Sequence, residues 1–266
     1  MKETKALLLA AGLGTRLKPL TENWPKCLMP IRCRPLLEYW LSILQKSGVN
    51  NVLVNTHYLS RHVEGFLNQL QFLDWVDSSY EPTLLGTAGT IRKNIGFCED
   101  VTVLLAHADN WTCCDFSAFL SYHHNQRPDG TVMTMMTFFS SDPSSCGIVE
   151  LNNKGIVEKF HEKVEDPPGK LANAAVYLLE PEVIDWIASH PKVSDFSTEV
   201  LPHFVGKIAT WRNENIHRDI GTIEMLREAQ MDECNNIPLG KASEWQQVFL
   251  KNPIHQLIKN TRTSIF

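Results

Sequence analysis

The sequence predicts an α/β fold built on a doubly wound, mixed but mostly parallel sheet, and three observations carry that expectation. Short apolar runs alternate with helical patterns through the first half of the chain. The runs are continuously apolar, as in strands buried on both faces. With 266 residues, 43% of them hydrophobic, the chain can bury a substantial core.

Taken in order, residues 5–10 and 51–54 read as strands, with 35–46 between them as a crossover helix. Pro35 suits the first turn of that helix and Gly48 follows its last. Ser60 is placed to cap a second helix whose Val63, Phe66, Leu67 and Leu70 share one face. Residues 101–105 form the next strand and 115–124 a helix after it; 131–138 is a long strand containing Met133, Met135 and Met136 as core residues. The pattern then shifts to shorter strands at 147–151, 156–159 and 171–179, which predicts a smaller mixed subregion in the second half. Helices are expected over 195–204 and 222–231, and one around 242–250 within a polar tail, 238–266. The boundaries predicted are a main domain over 1–235 and a helical tail over 236–266. Most tryptophans are expected in the core; Trp24 alone falls beside the glycine-rich segment described next.

A formal charge of −5, with no lysine or arginine block, argues against nucleic acid as a partner and for small molecules. No run approaches the roughly 18 apolar residues of a membrane span. The N-terminus runs straight into a strand, without the pattern of a secretory signal. The cysteines, Cys27, Cys33, Cys98, Cys113, Cys114, Cys146 and Cys234, are odd in number and include no C-x-x-C pair. That predicts neither a disulfide framework nor a zinc site, and a cytoplasmic location.

The segment from Leu7 to Thr21, followed by Pro25-Lys26, is the most informative in the chain. An apolar strand hands Ala10 and Ala11 to a loop with Gly12, Gly14, Thr15 and Arg16. Leu17 stands where a dinucleotide fingerprint needs its third glycine, and no Walker motif occurs. What the two glycines permit is close approach of backbone N–H groups to anionic oxygens. Arg16 adds a planar fork for two phosphate oxygens and Lys26 a mobile point charge. Such a loop, and Asp109 after the strand 101–105, lie at the carboxyl ends of strands, where doubly wound sheets bind ligands. Read alone, Asp109 is a turn or cap residue, Glu158-Lys159 a solvated charge pair, and Gly86 and Gly89 a helix entry.

Taken together, these residues resemble the signature G-x-G-T-R-L-x-P-L-T…P-K of the sugar-1-phosphate nucleotidylyltransferases. The resemblance continues in order through Leu85-Gly86-Thr87-Ala88-Gly89, Asp109, Val157-Glu158-Lys159, the segment Leu171 to Tyr177, and Asp219-Ile220-Gly221-Thr222, covering roughly residues 5 to 232. It implies a Rossmann-like fold and the transfer of a nucleotidyl group to a sugar 1-phosphate with release of pyrophosphate. Arg16, Lys26, Asp109 and Asp219 would be catalytic, the two aspartates holding Mg²⁺. Ala10, Ala11, Gly12, Gly14, Thr15, Arg16, Glu81, Gly86, Thr87 and Asp109 would bind the nucleotide. Glu158, Lys159 and Asn173 would bind the sugar phosphate; Gly147 would face the sugar or simply start a strand.

The segment Glu81-Pro82-Thr83-Leu84-Leu85-Gly86-Thr87-Ala88-Gly89 is more like that of mannose- and heptose-1-phosphate guanylyltransferases than of thymidylyl- or uridylyltransferases, so GTP is the favoured donor. The alternatives are thymidylyl-, uridylyl- or cytidylyl transfer, or a non-catalytic regulatory subunit; such subunits tend to lose the Arg, Lys or Asp positions kept here. Two departures stand out. His107-Ala108 precedes Asp109 where relatives have Asn-Gly, and Ala175 replaces a commoner glycine. His107 reads as a packing or hydrogen-bonding residue. A tail of this length is too short for the hexapeptide-repeat β-helix of some relatives; packing on the domain or assembly of a homo-oligomer remain its two readings.

Overall fold

The computed structural model describes residues 3–234, 237–240 and 243–260. The chain opens with β1 (Thr4–Leu9), whose apolar residues from Ala6 onward are buried. Tight single turns follow at Thr15–Leu17, Leu20–Glu22 and Lys26–Leu28, then a small hairpin of β2 (Pro30–Ile31) and β3 (Arg34–Pro35). Helix α1 (Leu36–Lys46) buries Leu37, Trp40 and Leu44 on one face, and Gly48, at φ 83, follows its end as expected. After β4 (Val52–Thr56), α2 (Ser60–Leu67) differs from the reading in two ways. Leu59, at φ 52, flanks its start with no side-chain cap from Ser60, and its end at Leu67 leaves Leu70 87% exposed.

The short edge strand β5 (Val76–Tyr80) had no sequence signal, because its residues are mostly polar. It leads to α3 (Thr87–Lys93), α4 (Ile95–Cys98), β6 (Thr102–His107), β7 (Asn110–Thr112) and α5 (Phe116–Asn125), the last capped by Asp115 accepting from the Ala118 N–H. Next come β8 (Met133–Phe139), β9 (Gly147–Leu151), β10 (Val157–Glu162), β11 (Leu171–Leu179) and α6 (Pro181–Ser189). The helix expected over 195–204 is a wide turn, Phe196–Val200, passing into α7 (Leu201–Phe204). The chain closes with β12 (Ile208–Arg212), β13 (His217–Asp219), α8 (Ile223–Met231), α9 (Glu244–Leu250) and α10 (Ile254–Asn260). Position 242, where the tail helix was expected to begin, lies outside the described residues.

Two compact units emerge from the packing, the first made of residues 1–7, 84–106 and 114–215, the second of 8–83, 107–113 and 216–266. Strands β1 and β6 run through both. In the first unit the strand order is β10-β9-β11-β6-β1, and β8 pairs with both β11 and β12. There β11 is antiparallel to β6, β8 and β9, while β12 runs parallel to β8. In the second unit β1 is followed by β4 and β5, which are parallel in the register Val52 to Val76 through Thr56 to Tyr80. The sheet is thus mixed, as expected.

The expectation about the cysteines fails. Cys113 and Cys234, 121 residues apart, are joined by a disulfide with Cα atoms 6.0 Å apart. Only the pairing of β7 with β13 and the course of α8 bring them together, so no sequence spacing could show it. No helix among the described residues is long and apolar enough to cross a membrane.

Candidate active site

At its carboxyl end β1 delivers Ala10 and Ala11, both buried, to the glycine-rich loop. The Ala10 N–H donates to Asn55 Oδ1 at 2.7 Å, which anchors the loop to the end of β4. Gly14 adopts a left-handed conformation (φ 62), and a Cβ there would lie 2.8 Å from Thr21 Cγ2. Both facts demand glycine. The Thr21 hydroxyl and the Leu17 N–H both donate to the Gly14 carbonyl, closing a turn that leaves Thr15 and Arg16 exposed. At Gly12 a Cβ would sit 3.9 Å from Asp109 Oδ2, so the loop passes directly beside that carboxylate.

The second carboxylate arrives through a two-stranded ribbon. β13 pairs antiparallel with β7, setting Asp219 opposite Asn110 and Arg218 opposite Trp111. Alternation along β13 separates the two charges. Arg218 bonds Glu228 and Asp232, and Asp232 also accepts from Trp111 Nε1 at 3.0 Å. Asp219 joins the loop residues: Lys26 Nζ lies 2.7 Å from Asp219 Oδ1 and 2.9 Å from Asp109 Oδ2, while Arg16 Nη2 lies 2.7 Å from Asp219 Oδ2. Four residues proposed for one task thus share one ion-pair network.

Burial pulls the Lys26 ammonium toward a lower pKa, but Asp109 and Asp219 together outweigh it and the net displacement is upward. For Asp219 burial pushes upward, and Lys26 and Arg16 reverse it, holding the carboxyl below its ordinary range. Lys26 is only 7% exposed, whereas Arg16 is 67% and Asp219 45% exposed, so the network opens to solvent on the arginine side. Neighbouring Cys27 is fully buried, and burial together with the charge on Asp109 pushes its thiol up to about 12. It is no nucleophile at neutral pH.

Glu81, at the end of β5, is 1% exposed and accepts from Asn55 Nδ2 at 3.0 Å. Asn55 therefore ties the start of the glycine loop to this carboxylate. In the first unit, Gly86 (φ 76) packs on the Ser194 carbonyl, which also accepts from the Ala88 N–H, and Thr87 Oγ1 accepts from the Phe196 N–H. Both residues serve as a helix entry here.

The remaining predicted residues lie on β9, β10 and β11 of the first unit. A Cβ on Gly147 would fall 2.7 Å from Phe160 and 2.8 Å from Glu162, so close packing requires that glycine. Glu158 is exposed; Lys159 reaches Glu150 at 3.3 Å, and His161 Nε2 approaches the same carboxylate at 2.8 Å. Asn173 donates to the Tyr177 hydroxyl at 2.6 Å and accepts from the Ala175 N–H. Ala175 occupies φ 54 where the β11–β8 register shifts, a left-handed position that glycine fills without strain.

The nucleotidyl transferase family model matches residues 5–236. The chain belongs to this family. Among its relatives, a mannose-1-phosphate guanylyltransferase of Mycobacterium tuberculosis is 31% identical over 88% of this chain and 66% of its own length. A UTP–glucose-1-phosphate uridylyltransferase of Synechocystis is 30% identical over 94% of this chain and 73% of its own. The chain thus spans about two thirds to three quarters of the length of these relatives. A solved structure from Bacillus anthracis assigned as a glucose-1-phosphate thymidylyltransferase superposes with a TM-score of 0.79 at 20% identity, covering 90% of this chain and 98% of its own. That likeness establishes the fold.

For this nucleotidyl transferase, the donor set suits a hard divalent cation. Asp109 and Asp219 already flank one cationic atom, Lys26 Nζ, and no group of three or more His, Cys, Asp or Glu able to hold a metal occurs among the described residues. Two carboxylates are what Mg²⁺ uses when phosphate and water complete its shell. Sequence reasoning missed two residues of the site. Asn55 had a weak signal, a lone amide inside an apolar strand. Gly221 had none as a contact: a Cβ there would lie 2.6 Å from Arg16 Nη2, so its bareness makes room for the guanidinium.

Proposed function

We propose that this nucleotidyl transferase joins a nucleoside triphosphate to a sugar 1-phosphate, releasing pyrophosphate, with GTP and mannose or heptose 1-phosphate as the favoured pair. The observation that carries the reading is the shared network of Arg16, Lys26, Asp109 and Asp219 beside a glycine loop. A phosphate oxygen of the sugar 1-phosphate attacks the α-phosphorus, and the bond to the β-phosphate oxygen breaks. No general base is needed, because a phosphomonoester with a second pKa of about 6 is mostly dianionic at pH 7. The obstacle is repulsion between polyanions: at ~4 Å and an effective dielectric of ~20, each unit-charge pair is worth about 4 kcal/mol.

Arg16, on the open side, holds the leaving phosphates. Lys26, kept protonated by its two carboxylates, contacts the α-phosphate and the incoming group. Ala10 fixes the loop through its bond to Asn55, and the N–H groups of Ala11, Gly12, Gly14 and Thr15 line the triphosphate. Asp109 and Asp219 would hold Mg²⁺, which supplies positive charge to phosphate oxygens. Glu81, with Gly86 and Thr87, reads the base. Lys159 takes the sugar phosphate; Glu158 and Asn173 take sugar hydroxyls, with Gly147 alongside. Residues 1–235 form the catalytic domain and 236–266 a helical appendage, in a chain that forms a homo-oligomer.

The mycobacterial relative favours guanine, and the cyanobacterial one makes UTP with a hexose 1-phosphate the main alternative. Pyrophosphate release, measured for each common nucleoside triphosphate against a panel of sugar phosphates, tests the reading. Turnover confined to UTP or dTTP replaces the base assignment. Absence of turnover with every pair overturns the activity and favours a nucleotide-sugar-binding regulatory subunit. A cytoplasmic setting goes with this substrate pair, while the Cys113–Cys234 bond is at odds with it. Counting free thiols in freshly lysed cells decides between them.

A further inference from the structure

Lys26 opens a single tight turn, Lys26–Leu28, closed by the Leu28 N–H on the Pro25 carbonyl and the Met29 N–H on the Lys26 carbonyl. Such turns have poor hydrogen-bond geometry and little stability of their own. The turn is held from outside. Trp24 Nε1 donates to the Leu28 carbonyl at 2.8 Å, so the indole, which enters two residues before the turn, ties down its last residue. One face of that indole stacks on Phe249 of α9 at 5.7 Å and 26°, and His62 meets it edge-on at 5.0 Å. Phe249 is in turn stacked by Trp245 at 5.1 Å and met edge-on by His255 of α10.

The same appendage grips the chain on either side of the turn. Gln246 of α9, itself buried, donates to the Cys33 carbonyl at 2.7 Å, and Arg34 Nη2 donates to the Gly240 carbonyl at 2.8 Å. α10 buries Ile254 and Ile258 and packs against the turn Leu20–Glu22. Val248, on the opposite side of α9, is 72% exposed, so α9 is not a core helix. Its buried face is the one turned to the lysine-bearing segment.

We propose that the C-terminal helices α9 and α10 form a brace that positions Lys26 for turnover, acting through the Phe249–Trp24 stack. The proposal rests on the phosphoryl-transfer reading of Lys26. Its physical basis is that a displacement of ~1 Å in a charged group serving a transition state costs about a hundredfold in rate. Phe249 and Trp24 are positioning residues that touch no substrate.

The test uses full-length variants in the pyrophosphate-release assay. Phe249→Leu keeps apolar volume and removes the ring; Trp24→Phe keeps a ring and removes the donor to Leu28. Each is expected to lower kcat about tenfold while both KM values stay within about twofold. Val248→Ser, on the exposed side of α9, is expected to match the parent protein. The decisive arm repeats Phe249→Leu in a Lys26→Ala background under single-turnover conditions. Loss of any further effect there supports the brace, because two changes acting through one group do not add. A further tenfold loss in that background overturns it, as does an undiminished kcat in both single variants. Should Phe249→Leu fail to fold, Gln246→Ala takes its place with the same outcomes. An inactive parent protein removes the functional reading and the brace together; an active parent with unaffected variants removes the brace alone.

Discussion

In the second unit Lys26 sits between two carboxylates with Arg16 outside them, whereas in the first unit His123 lies among Glu180, Arg127 and Thr134. Both are polar clusters with a nearly sealed central base. Lys26 is 7% exposed and the His123 side chain 0%. Their charge states diverge nonetheless. Burial depresses the His123 pKa to about 4, with the hydrogen bond to Glu180 only partly opposing it. The ring is neutral at pH 7, with Nδ1 2.8 Å from Thr134 Oγ1 and Nε2 within hydrogen-bond distance of both Glu180 and Arg127. Lys26, with an anion on each side, keeps its charge despite burial. The difference teaches that desolvation removes charge from a closed cluster, while paired carboxylates retain it in an open one. Retained charge, reached from solvent on the Arg16 side, is what a polyanionic substrate can use.

The sharpest way to break this comparison is to remove the central base of each cluster. Lys26→Ala should lower kcat about 10³-fold, the scale of losing an electrostatic contact to a transition state, in the pyrophosphate assay. His123→Ala should leave kcat within about twofold and instead reduce stability by about 2 kcal/mol in urea unfolding, because buried partners lose a hydrogen bond. Equal catalytic losses would erase the distinction.

Acid separates the clusters next. The unfolded chain takes up a proton on His123 near pH 6.5 and the folded chain only near pH 4, so stability falls as pH drops through that window. The loss is at most about 3 kcal/mol, at 1.36 kcal/mol per pH unit, and should vanish in His123→Ala melts. Lys26 behaves oppositely: its folded pKa is raised, so its stabilisation is complete below pH 10.5 and is lost only above it. Asp219, held low, contributes above its ordinary 3.8 and stops doing so in stronger acid.

A smaller effect probes how the open cluster is kept open. Gly221→Ala should push the Arg16 guanidinium off Asp219, raising KM for the nucleotide about tenfold with little change in melting temperature, since only side-chain ends, those of Arg16 and Asp219, must move. An unchanged KM would show that Arg16 does not hold the leaving phosphates. Smallest of all, Ala175→Gly should stabilise the first unit by about 1 kcal/mol by relieving a left-handed alanine. Thermal unfolding checks this, and a loss of stability would show that the Ala175 methyl packs productively.

Much of the glycine loop was legible because its chemistry is local. Gly14 must be glycine for a turn whose closing partner, Thr21, is only seven positions on, and α1 follows from an apolar spacing that any helix of that pattern would show. The tail was legible only as a helix near 242–250, since nothing in its spacing says that Phe249 will meet Trp24. The reading extended α2 to Leu70 because periodicity continues past the point where the chain turns away. Cys113 and Cys234 looked unpaired for the same reason that Asp109 and Asp219 looked unrelated: each pair is brought together by the β7–β13 ribbon, the cysteines with the course of α8 as well.

The amino-acid order by itself determined the alternation of strands and helices, the loop that can approach phosphate, and the kinds of charge available to it. Those depend on neighbours within a few residues, where backbone sterics and side-chain spacing act. Only the tertiary structure decided that Lys26 lies between two aspartates, that Asn55 links the glycine loop to Glu81, and that Gly221 yields its space to Arg16. These contacts join residues far apart in the chain, and their energies depend on burial and distance, which no local pattern specifies.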